Sequence, residues 1–111
     1  MSDFLVKDSG KRAEFDSGMV RDTEDGKIDY SLILDGPMLD RWAAHMTKGA
    51  EKYEPGNWLK AAGLEEYRRF RRSMLRHTFQ WLRGEEDEDH AAAIYFNVNG
   101  AEYAKEFING S

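Results

Sequence analysis

The chain predicts an all-α fold, an antiparallel helical bundle preceded by an irregular N-terminal arm. Three observations lead there. Apolar residues recur at helical spacing in three stretches after Pro37, glycine or proline punctuates the links between them, and residues 1–36 carry turn-forming clusters without periodicity. Helices of such lengths joined by short links pack as an antiparallel bundle. At 111 residues the chain has the size of one domain with one modest core. The expected organisation is therefore a single domain made of an arm, residues 1–36, and a helical part, residues 37–111.

In the arm, Asp8-Ser9-Gly10, Asp16-Ser17-Gly18, Asp25-Gly26 and Asp35-Gly36-Pro37 read as turns, with one short ordered piece around Tyr30 to Leu34. An arm of that length is either disordered or lies over a site or a neighbouring subunit. Pro37 opens the first helix, expected over 37–52 with Leu39, Trp42, Ala43, Met46 and Ala50 on its apolar stripe. Gly49 weakens that stripe, and Pro55-Gly56 ends the helix. Residues 57–63 form a connector with a helical turn. Gly63 precedes a second helix whose first turn carries Glu65 and Glu66, favourable against the helix dipole. Its inward face is Tyr67, Phe70, Met74, His77, Thr78 and Trp81, and it ends near Gly84. The third helix is expected to begin within Glu85 to Asp89 and to run to about Phe107. Its stripe is Ala93, Phe96, Asn97, Gly100, Ala101, Ala104 and Ile108, with His90 one turn earlier. Small residues on that face let another helix come close.

Composition narrows the chemistry. With no cysteine there is no disulfide framework, thiolate metal site or cysteine nucleophile, so any metal must be held by oxygen or imidazole. A net charge of -5 argues against DNA binding, which needs a basic face. No stretch approaches membrane-spanning length, and a cytoplasmic location is the resulting expectation. The P-loop pattern G-x-x-x-x-G-K is absent. Charge is unevenly spread. Arg68, Arg69, Arg71, Arg72, Arg76 and Arg83 crowd one stretch, and Glu85, Glu86, Asp87, Glu88 and Asp89 follow at once. A positive zone abutting a negative one suits a ligand that carries both phosphates and a divalent cation.

The acidic run is the strongest chemical feature. In a helix, Glu85, Glu88 and Asp89 would share a face at i, i+3 and i+4, and Glu86 would stand three residues from Asp89. Two unit charges 4 Å apart repel by about 1 kcal/mol in water and about 4 kcal/mol at a partly buried site. Mg²⁺, which prefers oxygen ligands, would neutralise them. Acids in a helix's first turn are also favourable by about 0.3–1 kcal/mol each with no metal, so spacing alone leaves both readings open. His77 faces inward near the acidic end of the bundle, and His90 and Asn97, seven apart, share a side of the third helix. Each is either a hydrogen-bonded core residue or part of a site. Arg76 has the geometry for bidentate phosphate contact. In the loop Lys52-Tyr53-Glu54-Pro55-Gly56-Asn57-Trp58, a cation, an amide and two aromatics could stack on a base and read its edge, or Trp58 could lid the core. Arg21 and Lys27 could meet phosphates from the arm, or lie in a solvated loop.

Three blocks, SGMVRDTEDGKIDYSL (17–32), HMTKGAEKYEPGNW (45–58) and RHTFQWLRGEEDEDHAAAIYFN (76–97), stand in an order that resembles the phage-borne family described as dATP/dGTP diphosphohydrolase, N-terminal. That family is similar to the MazG-like all-α pyrophosphohydrolases, and the resemblance runs from about Ser17 to Tyr103. It implies a Mg²⁺- or Mn²⁺-dependent enzyme that cuts a purine deoxynucleoside triphosphate between its α and β phosphates. In the broader group the ligands come from an E-E-x-x-E helix and a later E-x-x-D helix. Here Glu86 to Asp89 fits the second, while the first, begun by Glu65-Glu66, has Arg69 in place of its third acid. Glu51, Glu54 or Glu85 is left to complete the metal site.

Carried over position by position, the resemblance assigns Lys52, Tyr53, Asn57 and Trp58 to the nucleotide. Arg76, Asn97, Arg21 and Lys27 go to the substrate's phosphate side, Glu85, Glu86, Glu88 and Asp89 to the metal, and His77, His90 and Asp89 to catalysis. Two rivals are a non-catalytic nucleotide- or protein-binding module of the same fold, and a small protein that inhibits a host factor through its acidic surface. Three short helices enclose a core incompletely, so a homodimer or larger homo-oligomer is expected.

Overall fold

The computed structural model of the chain describes Val6 and residues 8–108; the outer ends of the expected arm and helical part, residues 1–5, 7 and 109–111, lie outside the described residues. The chain divides into two compact units, residues 1–32 and 33–111.

The first unit holds a hairpin. Strand β1, Arg12–Glu14, pairs antiparallel with β2, Val20–Asp22, in the register Arg12 to Asp22, Ala13 to Arg21 and Glu14 to Val20. The turn expected at Asp16-Ser17-Gly18 joins them. Gly18 takes a φ of +88°, which glycine adopts without a Cβ penalty, and donates its N–H to the Phe15 carbonyl at 2.8 Å. Asp22 organises the base of the hairpin. It accepts from the Ser9 backbone N–H at 2.8 Å, from the Ser9 hydroxyl at 2.5 Å and from Arg12 Nη1 at 3.1 Å. The short ordered piece anticipated near Tyr30 is a 3₁₀ turn, Tyr30–Ile33.

The second unit is all-α. Helix α1 spans Met38–Lys52, a 3₁₀ turn covers Asn57–Lys60, α2 spans Leu64–Leu82 and α3 spans His90–Ile108. Pro37 precedes α1 as its N-cap, one residue from its expected place, and Gly63 caps α2. Helix α3 packs against both α1 and α2. His77 meets His90 and Phe70 meets Phe96, so α2 and α3 run in opposite senses. Arg41 meets Asp89, Trp42 meets Tyr95 and His45 meets Phe96, so α1 and α3 run in the same sense. The result is an up-down-up bundle with α3 in the middle.

That central place explains the composition of α3. Its buried residues are His90, Ala92, Ala93, Asn97, Gly100, Ala101 and Ala104. A Cβ at Gly100 would stand 2.6 Å from the Phe70 ring, so the aromatic ring rests directly on the glycine. The expected stripe is correct except at its end, since Ile108 is exposed. On α1 the inward face is turned from the expected one. His45 and Gly49 join Trp42, Met46 and Ala50, while Leu39 and Ala43 are exposed. On α2, Trp81 is 54% exposed although the period placed it inward, because the helix is in its last turn there and has passed α3.

The run Glu85 to Asp89 is not helical, contrary to expectation. Gly84, at a φ of +76°, closes α2. The Glu85 N–H donates to the Gln80 carbonyl at 3.1 Å and the Gly84 N–H to the Trp81 carbonyl at 3.0 Å, the paired bonds of a Schellman termination. Asp89 then caps α3, its Oδ1 accepting the Ala92 N–H at 3.1 Å. The five acids thus bridge two capped helix ends, and the shared helical face drawn for Glu85, Glu88 and Asp89 does not exist.

Candidate functional site

The loop that Gly84 and Asp89 delimit folds its acids over the start of α3. His90 is 2% exposed, and both its ring nitrogens are engaged. Nε2 lies 2.7 Å from Asp87 Oδ1, and Nδ1 lies 2.9 Å from Nδ1 of His77. The hydrogen bond from His90 holds the Asp87 carboxyl below its usual 3.8, so Asp87 is an ionised acceptor and Nε2 carries the proton. With that proton on Nε2, Nδ1 of His90 is the acceptor of the facing pair and His77 Nδ1–H donates to it. Burial lowers the pKa of His77; Glu88 opposes the shift, and His90, Arg76 and His45 add to it.

Two sets of ligand atoms gather here, His77, Glu88 and His90 in one and Glu85, Asp87 and His90 in the other, each within 4.8 Å. Mixed imidazole and carboxylate donors at that spacing fit a divalent cation. Of the acids expected to hold metal, Glu85 and Glu88 belong to these sets, and Glu86 and Asp89 stand outside them. Asp89 is occupied otherwise. Arg41 Nε and Nη2 donate to its two oxygens at 2.8 and 2.6 Å, and the guanidinium holds the carboxyl at about 2. Its observed contacts are those of an anchor between α1 and α3. Glu51 and Glu54 stand outside the two sets as well, and Glu54 pairs with Lys60.

A cavity of about 160 Å³ lies beside α1, lined by His45, Met46, Tyr53, Asn57, Trp58 and Phe96 among others. It exists because Gly49 and Ala50 leave room on α1 and because Gly56, at a φ of +78°, turns the chain so that Asn57 and Trp58 return toward α3. Trp58 packs edge-on against Tyr103, whose hydroxyl donates to the Leu59 carbonyl at 2.9 Å. His45 lines this cavity, its ring 5.3 Å from that of Phe96.

The structure therefore gathers His77, His90, Glu85 and Glu88 at one place, and Tyr53, Asn57 and Trp58 at another. Lys52 is exposed at the end of α1, over the Tyr53 ring. Arg76 is exposed one residue before His77 and reaches Ser73. Asn97 lines a different cavity with Tyr67, Arg71 and Met74, and its amide donates to the Ala93 carbonyl at 2.8 Å. Arg21 and Lys27 belong to the arm unit, where Lys27 pairs with Asp22. Sequence reasoning missed Arg41, His45 and Asp87 as individuals. Their signals were present: Arg41 and His45 stand four apart on one helix, and Asp87 stands three before His90.

No helix among the described residues is long and apolar enough to cross a membrane. No similar curated protein and no similar solved structure is found. Residues 17–106 match the family described as dATP/dGTP diphosphohydrolase, N-terminal, a span that takes in strand β2, helices α1 and α2, the acidic loop and α3 to within two residues of its end. The chain belongs to the dATP/dGTP diphosphohydrolase N-terminal family.

Proposed function

We propose that this chain is a metal-dependent nucleotide pyrophosphohydrolase that converts purine deoxynucleoside triphosphates to monophosphate and pyrophosphate, controlling a nucleotide pool in the cytoplasm of a phage-infected host. The observation that carries the reading is the presence of two chemically different places on one helical unit. An aromatic-walled cavity lies against α1 and α3, and an imidazole–carboxylate cluster gathers at the start of α3. The cavity, at about 160 Å³, falls below the roughly 300–1,000 Å³ of clefts that hold whole ligands, so it suits one ring system with the sugar and phosphates left outside. Trp58, Tyr53 and Phe96 offer faces for a base, and Asn57 offers an amide for its edge. Arg76 supplies a cation beside the cluster for phosphate oxygens.

The reaction adds water to the α-phosphorus and breaks its bond to the bridging oxygen. A divalent cation such as Mg²⁺ or Mn²⁺, when bound, makes water acidic and offsets phosphate charge. His77, Glu88 and His90 would hold it as one set, with Glu85 in the neighbouring set. Asp87 orients His90, and Arg41 with Asp89 keeps the loop fixed to α1.

The experiment is a panel of all deoxynucleoside and ribonucleoside triphosphates with Mg²⁺ or Mn²⁺, reading pyrophosphate and monophosphate. Release from dGTP and dATP is expected, and no release from any nucleotide would remove the enzymatic reading. A second reading, a nucleotide binder without turnover, is favoured by Arg69 standing where the third acid of E-E-x-x-E belongs. It predicts thermal stabilisation by the same nucleotides with no product. We also infer self-association, because Leu75, Phe79 and Leu82 line one side of α2 and each is more than half exposed.

A further inference from the structure

We propose that the ion in the acidic loop is held chiefly through nitrogen, by Nδ1 of His77, Nδ1 of His90 and the Glu88 carboxylate, and that the site selects Zn²⁺, Ni²⁺ or Co²⁺ over Mn²⁺ and Mn²⁺ over Mg²⁺. This deepens the metal-dependent reading above, but its test involves no nucleotide and no turnover.

Four features support it. The two Nδ1 atoms are 2.9 Å apart, close to the separation of about 2.9–3.3 Å between neighbouring ligands at 2.0–2.1 Å from one ion. The Glu88 carboxylate is within 4.8 Å of both. Asp87 accepts the Nε2 proton of His90, which fixes Nδ1 as the bare nitrogen; a carboxylate behind the far side of a ligating imidazole is the usual support of such a ligand. The anchoring ring is buried and the other half-buried, so His90 is set in place and His77 is the one that adjusts.

Proton balance is simple. In the ion-free pair, His77 Nδ1–H bridges the two rings. On binding, that proton leaves Nδ1 and His77 carries its proton on Nε2 instead, so the exchange of tautomer releases none to bulk. Imidazole nitrogen ranks the ions in the order Mn²⁺, Co²⁺, Ni²⁺, with Zn²⁺ above Mn²⁺, and Mg²⁺ favours an all-oxygen shell. In the set that holds both Nδ1 atoms, Glu88 is the single carboxylate, so Mg²⁺ would meet mainly nitrogen there.

The test uses the untagged full chain, stripped with chelator and titrated with each ion separately, read by thermal unfolding and by calorimetric stoichiometry. One ion per chain is expected, with Zn²⁺, Ni²⁺ and Co²⁺ raising Tm at concentrations where Mg²⁺ has no effect. His77→Ala and Glu88→Gln should each abolish that response, and Asp87→Asn should weaken affinity about 10–100-fold. Far-UV circular dichroism of the ion-free variants separates lost binding from lost folding, and the exposed Glu88 keeps the test open if His77→Ala fails to fold. Equal responses to Mg²⁺ and Zn²⁺, or an unchanged response in a folded variant, would overturn the proposal. Ion binding without pyrophosphate release would leave it standing and sink only the hydrolase reading.

Discussion

Arg41 and Asp89 join α1 to the first turn of α3 through two hydrogen bonds, and the guanidinium lowers Asp89 from 3.8 to about 2. A carboxylate whose folded pKa is depressed contributes stability above its unfolded value and loses it as pH falls through the folded value. The contribution of this pair is therefore complete above about pH 4 and fades toward pH 2. Arg41→Met should move the acid-unfolding midpoint, followed by near-UV circular dichroism, to higher pH. At pH 7 the cost should stay within about 1 kcal/mol, because both side chains are more than a third exposed. Gly100 gives a second prediction at this scale. Gly100→Ala gains about 1 kcal/mol of helix propensity but forces a methyl to within 2.6 Å of the Phe70 ring. Overpacking costs about 1–3 kcal/mol, so a net loss in urea denaturation is expected, and Phe70→Leu in the same chain should recover part of it.

At the scale of elements, the turn between α2 and α3 decides where the chemistry lies. Gly84→Ala requires a left-handed conformation at a φ of +76°, which costs about 1–2 kcal/mol for a residue with a Cβ. The variant should lose that much stability in urea and respond less to added metal ions; unchanged stability would mean that the turn is not the stop described here. The same turn marks the limit of what the sequence conveys. The apolar and small residues of α3 were legible because a central helix shows its period on a long face, from His90 to Ala104. The inward residues of α2 were legible down to Thr78 for the same reason. The conformation of Glu85 to Asp89 was not, since five consecutive acids suit a helix's first turn as well as a loop. Asp89 as the cap, the last acid before three alanines, was the available clue. On α1 the period was read from Leu39, and the true face, through His45 and Gly49, is offset because the glycine carries no apolar side chain to register in a stripe.

For the whole molecule, the fold class followed from three periodic stretches, while the hairpin of the arm escaped because strands of three residues carry too short an alternation to detect. His77 and His90 were identified individually from their apolar faces. Their facing nitrogens depend on the angle at which two helices meet, which no spacing along one chain encodes, whereas Asp87, three residues before His90, is a local partner. Association is the prediction that belongs here. Leu75→Asp with Phe79→Asp should reduce the mass found by light scattering to that of one chain, whereas a wild-type chain that is monomeric at high concentration would remove the self-association inference.

Among the described residues, the buried apolar ones of the helical unit are five alanines, Ala61, Ala92, Ala93, Ala101 and Ala104. Alanine hides little hydrocarbon from water, so an isolated chain should melt with a small heat-capacity increment and a shallow, broad transition. Subunits joined through the leucines and phenylalanine of α2 would melt differently. The increment would grow, and the melting temperature would climb with protein concentration, because dilution favours the separated, unfolded chains. Differential scanning calorimetry at two dilutions would thus reveal whether this thin seam of methyl groups holds the fold alone.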